Sequence, residues 1–192
     1  MIYAIGKFLA FFANKLYFNI TFKGKENIPQ SQPMVICSNH LSMYDPVAIA
    51  SKIHQRVHYL GKAELMRQNW FVRFIMRSVH MIPIERSNVT VASMKQVIGV
   101  LKEGGTIGIF PEGTRVRNGK TRPEPLDGFL VFAIKAQVPI LPVHVEGNFR
   151  FRGKGTITFG QPIELSEYYG KKIKAADLKE IGCRIMDDIY KM

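Results

Sequence analysis

The chain has 192 residues and carries 27 Lys and Arg against 15 Asp and Glu, a formal net charge of +12. That length suits one domain able to bury roughly 70% of its unfolded surface, and it argues against a second domain. The charge calls for an anionic partner, whether membrane phosphates, an acidic carrier protein or nucleic acid, while the only cysteines, Cys37 and Cys183, offer no disulfide framework and no zinc site.

Residues 2–20, IYAIGKFLAFFANKLYFNI, are strongly apolar, with Lys7, Asn14, Lys15 and Asn19 confined to an arc of about 140° on a helical wheel. Two lysines inside a stretch at the lower limit of a bilayer span favour an interfacial helix over residues 1–21, ahead of a true span or a core helix. From Thr21 to Phe22 the chain turns extended, and the polar GKENIPQSQP carries two prolines into the apolar run Met34 to Cys37, which reads as a buried strand. Ser38 and Asn39 end that run. Asp45 and Pro46 announce a helix to Gln55, with Asp45 as its N-cap and Pro46 at its first position. Val57 to Lys62 reads as a strand, followed by a helix over 63–79. On that helix Trp70, Phe71, Phe74 and Ile75 form an apolar stripe, and Asn69, Arg73 and Arg77 lie on a separate side. Such a helix suits either an anionic bilayer surface or a core position with its charges in water.

MIPIER, Met81 to Arg86, supplies a short strand. Ser87 or Asn88 is placed to cap a helix over 89–102, which Gly104 and Gly105 end. Thr106 to Phe110 is a further strand. It runs into PEGTR, Pro111 to Arg115, and then into the basic, turn-rich VRNGKTRPEPLDG. A helix over 128–137, strands over 140–145 and 156–159, and an amphipathic helix over 176–191 complete the chain. Strands alternating with helices imply an α/β fold, a mixed and mainly parallel central sheet flanked by helices, spanning residues 22–192.

Two loops carry the chemistry. His40 and Asp45 lie past the carboxyl end of a strand, where open α/β sheets handle ligands. On a continuous helix residues five apart point about 140° away from each other, so these two meet only if the turn between them folds back. A carboxylate on one ring nitrogen would fix the His40 tautomer and leave the other nitrogen as a base for an alcohol. The spacing alone recurs by chance, and a structural His with a capping Asp is the bland alternative. In PEGTR, Gly113 allows close backbone approach and Arg115 offers a planar fork for phosphate oxygens. A tight turn with a solvated Arg is the competing reading.

Taken together, NHLSMYD and FPEGTR, about 70 residues apart and in this order, resemble the glycerolipid acyltransferase superfamily, most of all its bacterial 1-acylglycerol-3-phosphate acyltransferases. MIPIER and VPILPV, Val138 to Val143, stand where that superfamily has its second and fourth motifs. The resemblance covers residues 22–165. It implies direct acyl transfer: His40, oriented by Asp45, deprotonates the hydroxyl of lysophosphatidic acid, which attacks an acyl thioester on acyl carrier protein or coenzyme A. It also assigns phosphate recognition to Lys62, Arg86 and Arg115, with Glu112 and Gly113 shaping the same pocket. No metal and no cofactor beyond the acyl donor is called for, and the enzyme would work at the cytoplasmic face of the cell membrane, peripheral or monotopic.

Two stretches depart from the superfamily pattern: Pro83 and Glu85 precede Arg86, and Leu126 and Asp127 stand ahead of Gly128 where relatives carry a basic residue. An acyl chain of more than a dozen methylenes, at about 0.8 kcal/mol each, requires an apolar groove leading from His40 toward the membrane. No GxSxG elbow, Walker loop or dinucleotide fingerprint is present, so Ser38 and Ser42 lack the setting of a nucleophile. His54, His58, His80 and His144 have no partner at an informative spacing. The aromatic signatures of RNA binding are absent, which argues against nucleic acid. The rivals are transfer to another lysolipid, such as lyso-ornithine lipid, and a non-catalytic basic lipid-binding module.

Overall fold

The structure, a computed structural model, describes Asn14 and residues 18–78, 80–84, 90–116, 121–147 and 153–192. Seven strands form one sheet in the order β1-β7-β6-β2-β5-β3-β4: β1 Ile20–Lys23, β2 Met34–Ser38, β3 Val57–Lys62, β4 Ile82–Ile84, β5 Thr106–Ile109, β6 Ile140–Gly147 and β7 Gly155–Phe159. β6, β2, β5, β3 and β4 run parallel. β7 pairs with β6 antiparallel and β1 follows β7 in parallel, so the sheet is mixed and mainly parallel, as the sequence implied.

Every residue of β2 and of β5 is buried, which is why both read as unbroken apolar runs rather than alternating ones. On β2, Val35 and Cys37 pack into one core and Met34 and Ile36 into the other. The first core takes the apolar faces of α3 Val91–Lys102, α4 Gly128–Ala136 and α5 Ala175–Lys191. The second is closed by α1 Asp45–Ala50 through Ala48 and Ile49, with Ile53 beyond its end. Long α5 sits with Ile181, Ile185, Met186 and Ile189 buried. That spacing is the helical period read from the sequence.

Several elements end one or two residues from where they were expected, and four further differences concern what starts or stops a helix. α1 stops at Ala50 and does not reach Gln55. The helix expected over 63–79 is two pieces, a 3-10 turn Ala63–Arg67 and α2 Trp70–Ser78: the chain turns extended at Gln68, and Asn69 starts the second piece, its Oδ1 accepting the Val72 N–H at 3.0 Å. α3 is capped by Thr90, whose Oγ1 accepts the Ser93 N–H; the expected caps, Ser87 and Asn88, lie outside the described residues. Asp45 does not cap α1; Tyr44 holds that position, and the Asp45 carboxylate turns back into the preceding loop.

The helix expected over residues 1–21 likewise falls largely outside the described residues. Asn14, from its polar stripe, is buried and donates through Nδ2 to Ser51 Oγ at 2.9 Å. Among the described residues no helix is long and apolar enough to cross a membrane.

Candidate active site

The site grows from the carboxyl ends of β2, β5 and β3, neighbours in the sheet. β2 ends at Ser38, and Asn39 fixes the start of the next loop. Its buried amide donates to Val145 O at 2.8 Å and accepts from Val145 N–H at 2.7 Å. The side chain thus takes the place of a backbone partner just beyond the last β2–β6 pair, Ser38 with Val143.

Held there, the loop wraps a single oxygen. Asp45 Oδ2 lies 2.9 Å from His40 Nδ1 and accepts the N–H groups of Leu41 and Ser42, each at 2.7 Å. Residues that would diverge on a helix meet because the chain between them coils around the carboxylate. An ionised carboxylate only accepts, so Nδ1 carries the ring proton and Nε2 keeps the lone pair. Asp45 is fully buried, and the His40 side chain keeps 16% of its exposure. The imidazole is therefore reachable while its partner is sealed from water. Phe110 stacks on the imidazole with ring centroids 4.1 Å apart, and Tyr59 lies 5.8 Å from Phe110. Gly108 makes room for Tyr59, since a Cβ there would stand 2.3 Å from its ring.

The loop leaving β5 is laced to this one on both sides of His40. Glu112 Oε2 accepts the His40 N–H at 2.9 Å, and the Val116 N–H donates to His40 O at 2.8 Å. Glu112 Oε1 accepts the hydroxyl of Tyr190, near the end of α5. Glu112 is 6% exposed, and burial raises its carboxyl above the ordinary glutamate value. The hydrogen bonds from Tyr190 and His40 oppose that rise, as do the charges of His40 and Arg122. Gly113, at φ 64°, takes the left-handed turn that lets its N–H reach Phe110 O.

Past that turn Arg115 is exposed and makes no ion pair among the described residues. Lys62 ends β3 with its side chain half exposed, 4.0 Å from Glu64. Of the residues singled out in the sequence, His40, Asp45, Glu112, Gly113, Arg115 and Lys62 thus all lie at or just past the carboxyl ends of three neighbouring strands; Arg86 lies outside the described residues. Both oxygens of Glu112 are engaged within the protein, so its part in shaping the pocket is to hold backbone. Cys37 is buried, and burial first, then the nearby Glu112 charge, pushes its thiol well above the ordinary value, so it stays protonated. Among the described residues no three His, Cys, Asp or Glu come together as a metal site.

A buried carboxylate holding a reachable imidazole, beside a second strand-end loop that presents arginine, is the arrangement the motifs promised, and the sequence profile described as Acyltransferase matches residues 19–146. The chain belongs to the acyltransferase family. This acyltransferase is 29% identical over 171 residues to the 1-acyl-sn-glycerol-3-phosphate acyltransferase of Bacillus subtilis, covering 82% of the chain and 83% of that protein. It is 35% identical over 136 residues to the protein of the same name from Borreliella burgdorferi, covering 70% of the chain and 54% of that longer protein. The crystal structure of the 1-acyl-sn-glycerophosphate (LPA) acyltransferase PlsC from Thermotoga maritima superposes with a TM-score of 0.70 at 25% identity, over 99% of this chain and 77% of that one.

Two residues beside the candidate site were not singled out in the sequence. Asn39 had a signal, an amide next to His40 on a strand end. Tyr190 had none, being far away in sequence; Arg122, from the basic loop after PEGTR that was expected to flank the site, lies over the Tyr190 ring at 4.2 Å and pairs with Asp187 at 3.4 Å.

Proposed function

We propose that this acyltransferase moves a fatty acyl group from an acyl thioester to the free hydroxyl of 1-acyl-sn-glycerol 3-phosphate, giving phosphatidic acid. The observation that carries the reading is the His40–Asp45 pair, with Nδ1 bound to a buried carboxylate and Nε2 left as a base.

His40 Nε2 takes the hydroxyl proton as the oxygen attacks the thioester carbonyl. The tetrahedral intermediate collapses, the C–S bond breaks, and the thiolate of coenzyme A or of acyl carrier protein leaves with the proton that the imidazolium returns. Asp45 steadies the imidazolium while it carries that proton. No acyl-enzyme forms, and the acyl donor serves as a substrate; no other cofactor is needed. Arg115, Lys62 and Arg86 hold the phosphomonoester by charge-assisted hydrogen bonds. Glu112 and Gly113 shape the loop from which Arg115 reaches.

The substrate and product are lipids, and the protein works against an anionic membrane surface at the cytoplasmic face. Trp70 and Phe74 on α2 are 72% and 54% exposed and Met43, on the loop of His40, is 65% exposed, while Arg67, Arg73 and Arg77 are exposed on and just before α2. Large apolar groups among unburied arginines fit a boundary between headgroups and acyl chains, not a protein core. The segment 1–21 adds to that contact as an interfacial helix, tied to the domain through Asn14 and Ser51.

Purified protein is offered lysophosphatidic acid or lyso-ornithine lipid with labelled acyl coenzyme A or acyl carrier protein. Lysophosphatidic acid should be the better acceptor, and Arg115→Ala should raise its KM about tenfold or more, the loss of one charge-assisted contact. Preference for lyso-ornithine lipid, with Arg115→Ala harmless, would refute the phosphate reading. Salt-sensitive lipid binding with no transfer at all would leave a binding module.

A further inference from the structure

We infer that Tyr190, near the far end of the chain, is a positioning residue for the base: its hydroxyl holds Glu112, and Glu112 holds the backbone of His40. The inference rests on His40 acting as proposed above.

The chain of contacts is continuous. Tyr190 donates to Glu112 Oε1, and Glu112 Oε2 accepts the His40 N–H at 2.9 Å. Asp45 fixes where the imidazole points, but among the described residues its carboxylate is bonded to its own loop, at 40, 41 and 42, and does not set where that loop stands relative to β5. Glu112 does that together with the Val116 N–H on His40 O, and the donors on its two oxygens aim a carboxylate that is 6% exposed.

Tyr190 is itself held in place. The Arg122 guanidinium lies over its ring at 4.2 Å and pairs with Asp187, one helical turn earlier on α5. Behind Glu112 a cleft of about 340 Å³ opens between α5 and the 121–125 segment, so this end of the helix meets the active-site loops through side chains across a gap rather than through close packing. Deeper in α5, Met186 touches Cys37 at 3.7 Å, and the helix stays seated without the hydroxyl. The charged and titratable groups that act on Glu112 are His40 and Cys37 from β2 and its loop, Arg122 from the 121–125 segment, and Tyr190 from α5.

The test is Tyr190→Phe in the full chain, with kcat, KM and the pH profile of kcat/KM measured beside native protein and His40→Ala. Phenylalanine keeps the ring, which Arg122 covers at 4.2 Å and the His144 ring approaches at 5.9 Å, and removes only the donor. Turnover should fall about tenfold, as for a lost hydrogen bond to a charged group, with KM for both substrates nearly unchanged. Without that donor Glu112 takes up its proton at a higher pH, so the acid limb of the profile should move upward. In a Glu112→Gln background the same substitution should change nothing further. A folded Tyr190→Phe protein with native turnover and an unmoved acid limb overturns the inference, as does an effect that survives intact in the Glu112→Gln background. Should Tyr190→Phe not fold, Glu112→Gln alone replaces it, and an unmoved acid limb there overturns the inference equally. Activity in His40→Ala equal to native would strike the underlying reading of the base, a result independent of Tyr190.

Discussion

The loops leaving β2 and β5 stand side by side, and each encloses a buried carboxylate, yet the two are built in opposite ways. Asp45 is held from within, by donors at positions 40, 41 and 42 that all fall on one oxygen, Oδ2. Glu112 is satisfied from outside, by donors 72 positions before it and 78 after it, one on each oxygen. A carboxylate served locally makes a self-contained unit whose geometry travels with its few residues. One served from a distance ties separate elements together and has no meaning apart from them. Substitution at Asp45 should therefore strike the chemistry first, with a cost in stability beside it, and substitution at Glu112 should strike the placing of one loop against the other.

The largest expected effect is that of Asp45→Asn. An amide oxygen in the place of Oδ2 accepts the same three donors, and the NH2 group takes the buried position of Oδ1, which has no partner among the described residues. Stability should fall by about 1–3 kcal/mol for that unmet group, a shift visible in thermal unfolding. The charge that steadies the imidazolium is gone, so turnover should drop by about 10²-fold or more. Glu112→Gln should cost less, about tenfold, for one weakened contact to a charged group. If Glu112→Gln proved the more damaging to turnover, the contrast between the two loops would break.

Asn39→Ala sharpens the contrast from another side, since Asn39 is what fastens the self-contained loop to β6. It removes two buried hydrogen bonds with Val145, and denaturant unfolding should show a loss of about 1–3 kcal/mol. Gly108→Ala acts through the aromatic stack under His40. Its Cβ would stand 2.3 Å from the Tyr59 ring, and overpacking of this kind costs about 1–3 kcal/mol, with a changed near-UV signal as Tyr59 and Phe110 shift.

The smallest effect concerns pH. Burial lowers the pKa of His58, helped by His80 and Arg56 and opposed by Glu103, and burial likewise lowers that of His144. Below the ordinary imidazole pKa the unfolded chain binds more protons at these sites than the folded one. Their contribution to stability is thus complete above that pKa and is lost as pH falls through the lowered folded values. The unfolding midpoint should drop on acidification across that window, and His58→Gln should flatten the drop.

The difference between the loops also explains what could be read from the sequence. His40 and Asp45 were legible because their partners lie within a few positions and the run MVICS announces the strand before them. The parallel sheet was legible for a related reason: β2 and β5, buried on both faces, read as continuous apolar runs. The two-piece nature of the 63–78 crossover was hidden because an amphipathic period continues across Asn69, and only the side-chain cap on Val72 shows the break. Asp before Pro is the usual helix-cap signature, and the two oxygens of Asp45 suit it both to cap the helix and to hold the imidazole; only the second part is seen, with three donors of its own loop on Oδ2 and no side-chain cap on α1. Tyr190 had no trace in the sequence, since nothing about a tyrosine near the end of an amphipathic helix says which buried carboxylate it will meet.

Everything assigned to this site depends on the imidazole removing a proton from the lipid hydroxyl. The direct measurement is the rate of phosphatidic acid formation from lysophosphatidic acid and an acyl thioester by native protein and by His40→Ala, both confirmed folded by thermal unfolding. A loss of about 10²- to 10⁴-fold is the predicted result. Equal rates in the two would contradict it.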